Sequence, residues 1–354
     1  MALQLRKSVS REDAVREAAP SSQRLMELSW AFAPAQALSS ALDLGLFTQI
    51  AEGKTRLAAL EQAVGASRRG LAMLLNAMVA IGLLTRKGAG EKARYGLAPD
   101  SDAFLVAGRP GYLGDFIRLH VEELSRNWAH LTECIRTGEP VVAVDTPEQG
   151  VALWEKLVDP LFAVNCAAAW RLAEEIDRVY AGEPLRLLDV AAGSGVWGIA
   201  AAQRSPATRV VAFDLPETLP HTRRNARRHQ VADRFEFSPG DIRTDDFGSP
   251  EFDVAVLGHI CHSEGAEHTR LLLAKVGRAM KAGGLIAIAE FLPDEGRSGP
   301  PLPLLFALNM LVHTRAGDTF TFGEFAAWLK EAGFHDVRPL ETPSPSPLIL
   351  ATRS

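Results

Sequence analysis

From Leu185 onward, short apolar runs alternate with stretches of helical spacing, and this alternation constrains the fold more than any other feature of the chain. Arg186–Ala191 reads as a strand, Val196–Gln203 as a helix, Arg209–Asp214 as a second strand and Pro220–Gln230 as a basic helix. Phe235–Phe237, Phe252–Leu257 and Gly284–Phe291 read as further strands, and Thr269–Lys281 and Phe322–Ala332 as helices. Two short strands near Val337 and Leu348 close the chain. Such a pattern predicts an α/β domain: a Rossmann-like, doubly wound, mostly parallel sheet with helices on both faces.

A chain of 354 residues is long for one domain, and the first half has a different character. Apolar residues recur at helical spacing from Ser22 to Ile50, through Leu25, Leu28, Phe32, Leu38, Leu42 and Leu46. Leu57–Gly65 and Ser67–Gly82 read as two more helices, with Ser67 as N-cap and Gly82 as the stop. Leu83–Arg86 and Arg94–Leu97, joined by a glycine-rich turn, read as a hairpin, and the order helix, helix, hairpin outlines a winged helix. The expected division is residues 1–105 as an all-helical, winged-helix-like unit, 106–182 as a helical pocket region and 183–354 as the α/β domain. Trp128, Trp154, Phe162 and Trp170, in the middle region, read either as core aromatics or as a pocket roof.

Between the first strand and its helix lies Ala191-Ala192-Gly193-Ser194-Gly195-Val196-Trp197-Gly198, a turn whose glycines let backbone approach a ligand at the carboxyl edge of the sheet. The same spacing serves dinucleotide dehydrogenases, so the neighbouring acids matter. Asp214 ends the second strand, where a carboxylate accepts from both ribose hydroxyls. Asp189 lies inside the first strand, and Asp241 follows Gly240 after the third, placed to meet an adenine amino group. This set of strand-end acids resembles class I S-adenosylmethionine methyltransferases. The resemblance implies S-adenosylmethionine as cofactor, held by Asp189, Gly193, Ser194, Gly195, Asp214, Leu215, Asp241, Ile242 and His259.

After the fourth strand stands Leu257-Gly258-His259-Ile260-Cys261-His262-Ser263-Glu264-Gly265. With Phe213-Asp214-Leu215-Pro216, Gly240-Asp241, Ala289-Glu290 and Asn309–Thr314, it makes nearly the whole chain resemble the small-molecule O-methyltransferase family, whose bacterial members tailor polyketides and whose plant members methylate caffeic acid and flavonoids. The resemblance implies His262 as general base with Glu290 beside it. A near-neutral imidazole suits the removal of a proton from a phenol whose pKa is near 10. It also implies an N-terminal dimerisation domain and an acceptor pocket drawn from Phe162, Asn165, Trp170, Phe306, Asn309, Met310 and His313. The sequence departs from the family where Ser263-Glu264 replace the plant Asp-Trp, and where Asp318-Thr319 replace a second bracketing Glu. Some relatives that C-methylate keto acids bind iron through two histidines, which singles out His262 and His313, but the expected metal content is none.

Composition excludes other classes. A net charge of −5 and, in residues 1–150, 17 basic against 17 acidic side chains give no basic stripe for nucleic acid. No apolar run reaches membrane-spanning length, and Met1–Pro20 lacks the apolar core of a secretory signal. Three scattered cysteines fit a reducing cytoplasm. The expected partners are a small-molecule acceptor and a second copy of the chain. The competing readings are a C- or N-methyltransferase on the same scaffold, an NAD-dependent oxidoreductase and a winged-helix DNA-binding regulator.

Overall fold

The computed structural model describes residues 20–144 and 147–354, with side chains outside 147–155. Residues 1–19 of the segment read for a secretory signal, and the Trp154 side chain, lie outside the described residues. The chain divides into two compact units, Met1–Asp102 and Ala103–Ser354.

In the first unit the apolar periodicity of Ser22–Ile50 is realised as three helices, α1 (Gln23–Ser29), α2 (Phe32–Asp43) and α3 (Leu46–Ala51). Gly45, at φ 62°, makes the turn between the last two. Leu57–Val64 (α4) and Arg68–Ala80 (α5) follow, and the Ser67 hydroxyl caps α5 by accepting from the Gly70 N–H. Gly82 ends α5: its N–H donates to Val79 O and the Leu83 N–H to Met78 O, the paired bonds of a left-handed helix stop. Strands β1 (Leu84–Lys87) and β2 (Arg94–Leu97) then pair antiparallel. Leu42, Leu46, Phe47, Leu60, Leu71, Leu75 and Met78 form the unit's interior, whereas Leu25, Met26, Leu28, Trp30 and Phe32 are exposed. The charged start of α5 is held internally, Arg68 donating to Glu61 and Glu91.

The second unit carries α6 (Gly114–Leu119), α7 (Leu131–Thr137) and the 34-residue helix α8 (Pro147–Tyr180) ahead of its sheet. Seven strands follow: β3 (Leu185–Val190), β4 (Thr208–Asp214), β5 (Phe235–Pro239), β6 (Phe252–Gly258), β7 (Met280–Ala289), β8 (Phe334–Leu340) and β9 (Leu348–Arg353). They lie in the order β5-β4-β3-β6-β7-β9-β8, and β9 alone runs antiparallel to its neighbours. Between them run α9 (Val196–Arg204), α10 (Leu219–Arg228), α11 (Cys261–Ala279), α12 (Pro301–His313) and α13 (Phe322–Glu331). Strand residues alternate between two cores. Leu187, Val210, Val254 and Ala287 pack under α8 and α9, while Leu188, Val211, Ala255 and Ile286 pack under α11 and α13. Each fully buried aliphatic side chain contributes roughly 1.5–3 kcal/mol.

Two boundaries differ from the sequence reading. The helix expected over Thr269–Lys281 begins at Cys261, kinks at Gly265 (φ 76°, ψ 171°) and ends at Ala279. The strand expected over Gly284–Phe291 begins at Met280, which pairs with Phe252 before a register shift, so Glu290 falls just past its end. Among the described residues no helix is long and apolar enough to cross a membrane.

Candidate active site

Strand order reverses between β3 and β6, and at such a switch point the carboxyl ends of parallel strands leave a crevice. Here a cavity of about 460 Å³ is lined by the glycine turn Ala191–Ser194, by Asp214–Thr218 after β4, by Gly240–Arg243 after β5 and by Gly258–Ile260 with Ser263 and Glu264 after β6. Val144, Val158, Leu161 and Asn165 cover it from α8 and the segment before it.

The turn is shaped from behind. Gly193 and Gly195 take φ 54° and 75°, and Ala191 is also left-handed at 51°. The Thr222 hydroxyl donates to Gly193 O (2.7 Å) and the Asn225 amide to Ser194 O (3.0 Å), so α10 holds the carbonyls of the turn. A Cβ on Gly258 would overlap the Trp197 indole, which is why the fourth strand ends in glycine.

The three acids play different parts. Asp214 lines the cavity, and its carboxylate accepts from the Gly193 N–H and the Leu215 N–H, each at 2.7 Å. Burial pushes it up to about 6 despite those bonds. Asp241 also lines the cavity, one oxygen accepting from the Arg243 N–H at 2.8 Å. Asp189 does not line it. Fully buried, it faces α9, accepts from the Gly198 N–H at 2.9 Å, and its other oxygen has no partner among the described residues. Burial pushes it up to about 8, reinforced by Asp214. A carboxyl in that environment stays protonated at neutral pH, so it braces the turn from below and the three acids do not converge on one ligand.

Glu290 clamps His262, and neither is among the cavity-lining residues: the pair lies next to His259, which is, with the two imidazole centroids 6.2 Å apart. Glu290 Oε1 accepts from the His262 backbone N–H (3.1 Å), and its Oε2 lies 2.8 Å from Nδ1. Burial pushes the Glu290 carboxyl up, but the charge and hydrogen bond of His262 outweigh it and hold the group below its ordinary value. A carboxylate at Nδ1 fixes the proton there and leaves Nε2 as the basic nitrogen. Nε2 has no hydrogen-bond partner among the described residues. Phe306 packs edge-on against the ring, with centroids 5.0 Å apart. His259 lines the cavity in a left-handed backbone (φ 59°), and burial drives its imidazole down to about 4, so it is neutral. His259, His262 and Glu290 bring ligand-type atoms within 4.8 Å of one another, but the closest pair is already the imidazole–carboxylate hydrogen bond.

The O-methyltransferase domain model matches residues 128–335, and the O-methyltransferase dimerisation domain model residues 26–107. The chain belongs to the O-methyltransferase family. It is 32% identical to the tetracenomycin polyketide synthesis 8-O-methyl transferase of Streptomyces glaucescens, over 93% of this chain and 96% of that one. It is 31% identical to acetylserotonin O-methyltransferase of Bos taurus, over 93% and 97% of the two chains. The crystal structure of human N-acetylserotonin methyltransferase in complex with SAM superposes with a TM-score of 0.79 at 26% identity, covering 96% of this chain and 99% of that one.

In the methyltransferase, the expected cofactor residues Gly193, Ser194, Asp214, Leu215, Asp241, Ile242 and His259 all line the cavity, while Gly195 shapes the turn and Asp189 lies behind it. The expected acceptor residues divide. Asn165 lines the cavity. Phe162 is not among the lining residues and stacks on His229 at 4.7 Å, and Trp170 is 39% exposed, because the face of α8 turned to the cavity is that of Val158, Leu161 and Asn165. Asn309 and His313 form an internal network, Asn309 accepting from the Trp128 indole N–H and His313 bonding Asn309 O through Nδ1 and the Asn127 amide through Nε2. Both His313 nitrogens are engaged, so the His262/His313 metal pairing has no ligand to offer there. Met310 is buried on the same helix. Asp318 bonds the His262 carbonyl through its backbone, but its carboxylate faces Arg297, so Glu290 is the carboxylate at His262. The motif reading gave no role to Thr222, Asn225 and Arg243, or to Glu264, which it noted only as a departure from the family, because their partners are distant in sequence.

Proposed function

We propose that the methyltransferase transfers the methyl group of S-adenosylmethionine to a hydroxyl oxygen of a small aromatic or polyketide-like acceptor, with His262 as general base. The residues present fit that cofactor. Asp214 would take the ribose hydroxyls, Asp241 the adenine amino group, and the backbone of Gly193 and Ser194 would lie against the amino-acid end. When bound, the cofactor supplies a sulfonium-activated methyl group, so the chain has only to align an acceptor and take its proton. The acceptor oxygen forms the new C–O bond as the S–C bond breaks, the electron pair staying on sulfur. The proton passes to His262 Nε2, and Glu290 stabilises the imidazolium. The observation that carries this reading is the His262–Glu290 pair, which leaves Nε2 without a hydrogen-bond partner among the described residues, next to the cavity-lining His259.

Asn165 supports an acceptor end with a polar contact. The residue is 6% exposed, lines the cavity and has no hydrogen-bond partner among the described residues. The exposed apolar side chains from Leu25 to Phe32, inside the matched dimerisation domain, support a homodimer that buries them. Screening phenols, quinones, amines and keto acids for S-adenosylhomocysteine release, with the product's methylated atom located by NMR, tests the proposal. Transfer to carbon or nitrogen alone would replace it with the C- or N-methyltransferase reading.

A further inference from the structure

Two residues that the motif reading left without a role close one wall of the cavity. Arg243, in the loop after β5, and Glu264, on the first turn of α11 after β6, both line it. They form a forked ion pair: Arg243 Nε donates to Glu264 Oε2 at 2.8 Å and Nη2 to Oε1 at 3.2 Å. The Glu264 side chain is 8% exposed and the Arg243 side chain 33%. In the sheet order, the loops after β5 and β6 flank β4 and β3, so the pair spans the carboxyl ends of the strands that carry Asp214 and the glycine turn.

The wall is fixed from both sides. The Arg243 N–H donates to Asp241 Oδ1, and Lys275 Nζ donates to the carbonyls of Ile242, Arg243 and Asp245 at 2.9–3.0 Å, pinning the loop to α11. Behind the pair a surface pocket of about 140 Å³ is lined by Ile242, Arg243 and Glu264 again, with His268, Lys275 and Arg278. The ion pair is therefore the partition between the cavity and that outer pocket.

We infer that the Arg243–Glu264 pair is the adenine platform of the cofactor site, the flat guanidinium covering one face of the base while Asp241 reads its edge. This rests on the assignment of Asp241 to adenine. A guanidinium stacks on aromatic faces and is held in plane by a bidentate carboxylate, neither of which an ammonium can do. Arg243 contacts the base, and Glu264 is a positioning residue that acts through it. The arrangement selects for a purine by shape and by attraction between the cation and the π face, and it is indifferent to the base's 6-substituent, which is left to Asp241.

Calorimetric titration of the full chain with S-adenosylhomocysteine and with S-inosylhomocysteine, which carries oxygen in place of the 6-amino group, tests this. Arg243→Ala is expected to weaken both ligands by the same factor, about tenfold or more. Arg243→Lys is expected to weaken them nearly as much, and Glu264→Gln less, with the unliganded melting midpoints of both conservative variants close to wild type. Asp241→Ala, by contrast, should weaken the adenosyl ligand selectively. Wild-type affinity in Arg243→Lys would show that charge alone matters, and unchanged binding in Arg243→Ala would show that the pair touches nothing; either overturns the inference. Non-selective loss in Asp241→Ala would overturn the adenine assignment beneath it, and failure of the wild type to bind S-adenosylhomocysteine would overturn the functional reading.

Discussion

Asp189→Asn should make the protein more stable at neutral and alkaline pH. Asp189 is fully buried, with one oxygen on the Gly198 N–H and the other without a partner among the described residues, and burial raises its carboxyl from 3.8 to about 8. An unfolded chain releases this proton near 3.8, whereas the folded chain keeps it until about 8. Between those values the folded state binds one proton more, so stability falls as pH rises, by about 1.4 kcal/mol per pH unit. The loss reaches on the order of 4 kcal/mol at pH 7 and levels off above pH 8. Asparagine accepts from Gly198 as the acid does, leaves the same second position without a partner and cannot ionise. Urea unfolding of both proteins at pH 5, 6, 7, 8 and 9, at one protein concentration, isolates the effect, because the other titrating groups are common to both. The variant should already lead by roughly 2 kcal/mol at pH 5, because the unfolded acid ionises near 3.8, and should gain steadily towards pH 8. An advantage that does not change with pH, or a variant less stable than wild type at pH 8, would refute the buried-acid account.

Other expectations concern the site. His262→Ala should retain cofactor binding and lower S-adenosylhomocysteine release at least about 100-fold; unchanged turnover would leave positioning as the mechanism. Glu290→Gln, which removes the carboxylate from Nδ1, should lower kcat about 10- to 100-fold, measured at saturating cofactor. Since the Asp214 carboxyl is raised to about 6 and, in the proposed function, would take both ribose hydroxyls as a carboxylate, S-adenosylhomocysteine affinity should fall as pH drops below about 6. Asp214→Asn should flatten that profile in calorimetry from pH 5 to 8. Leu28→Asp with Trp30→Ala, in the exposed apolar segment, should shift the mass measured by light scattering from dimer to monomer.

Much of the architecture was legible because it depends on local periodicity. Apolar runs bounded by glycine give strands, 3.6-residue spacing gives helices, and Ser67 and Gly82 mark the ends of α5 by capping chemistry that needs only neighbouring residues. The glycine turn, Asp214 and Asp241 were legible for a related reason: in a doubly wound sheet, the ends of parallel strands meet at one edge, so chain position nearly dictates spatial position, whereas the pairing of His262 with Glu290 was implied by the family resemblance. What tertiary structure alone decided is everything that depends on which way an element is rolled and what crosses above it. The roll of α8 turned Asn165 to the cavity and Phe162 onto His229. The inward face of β3 buried Asp189 beneath α9 instead of presenting it to a ligand. The 21-residue reach from Arg243 to Glu264 closed a wall that no local pattern announces. Hydrogen bonds and burial between distant segments set those outcomes, and a linear spacing carries no record of them.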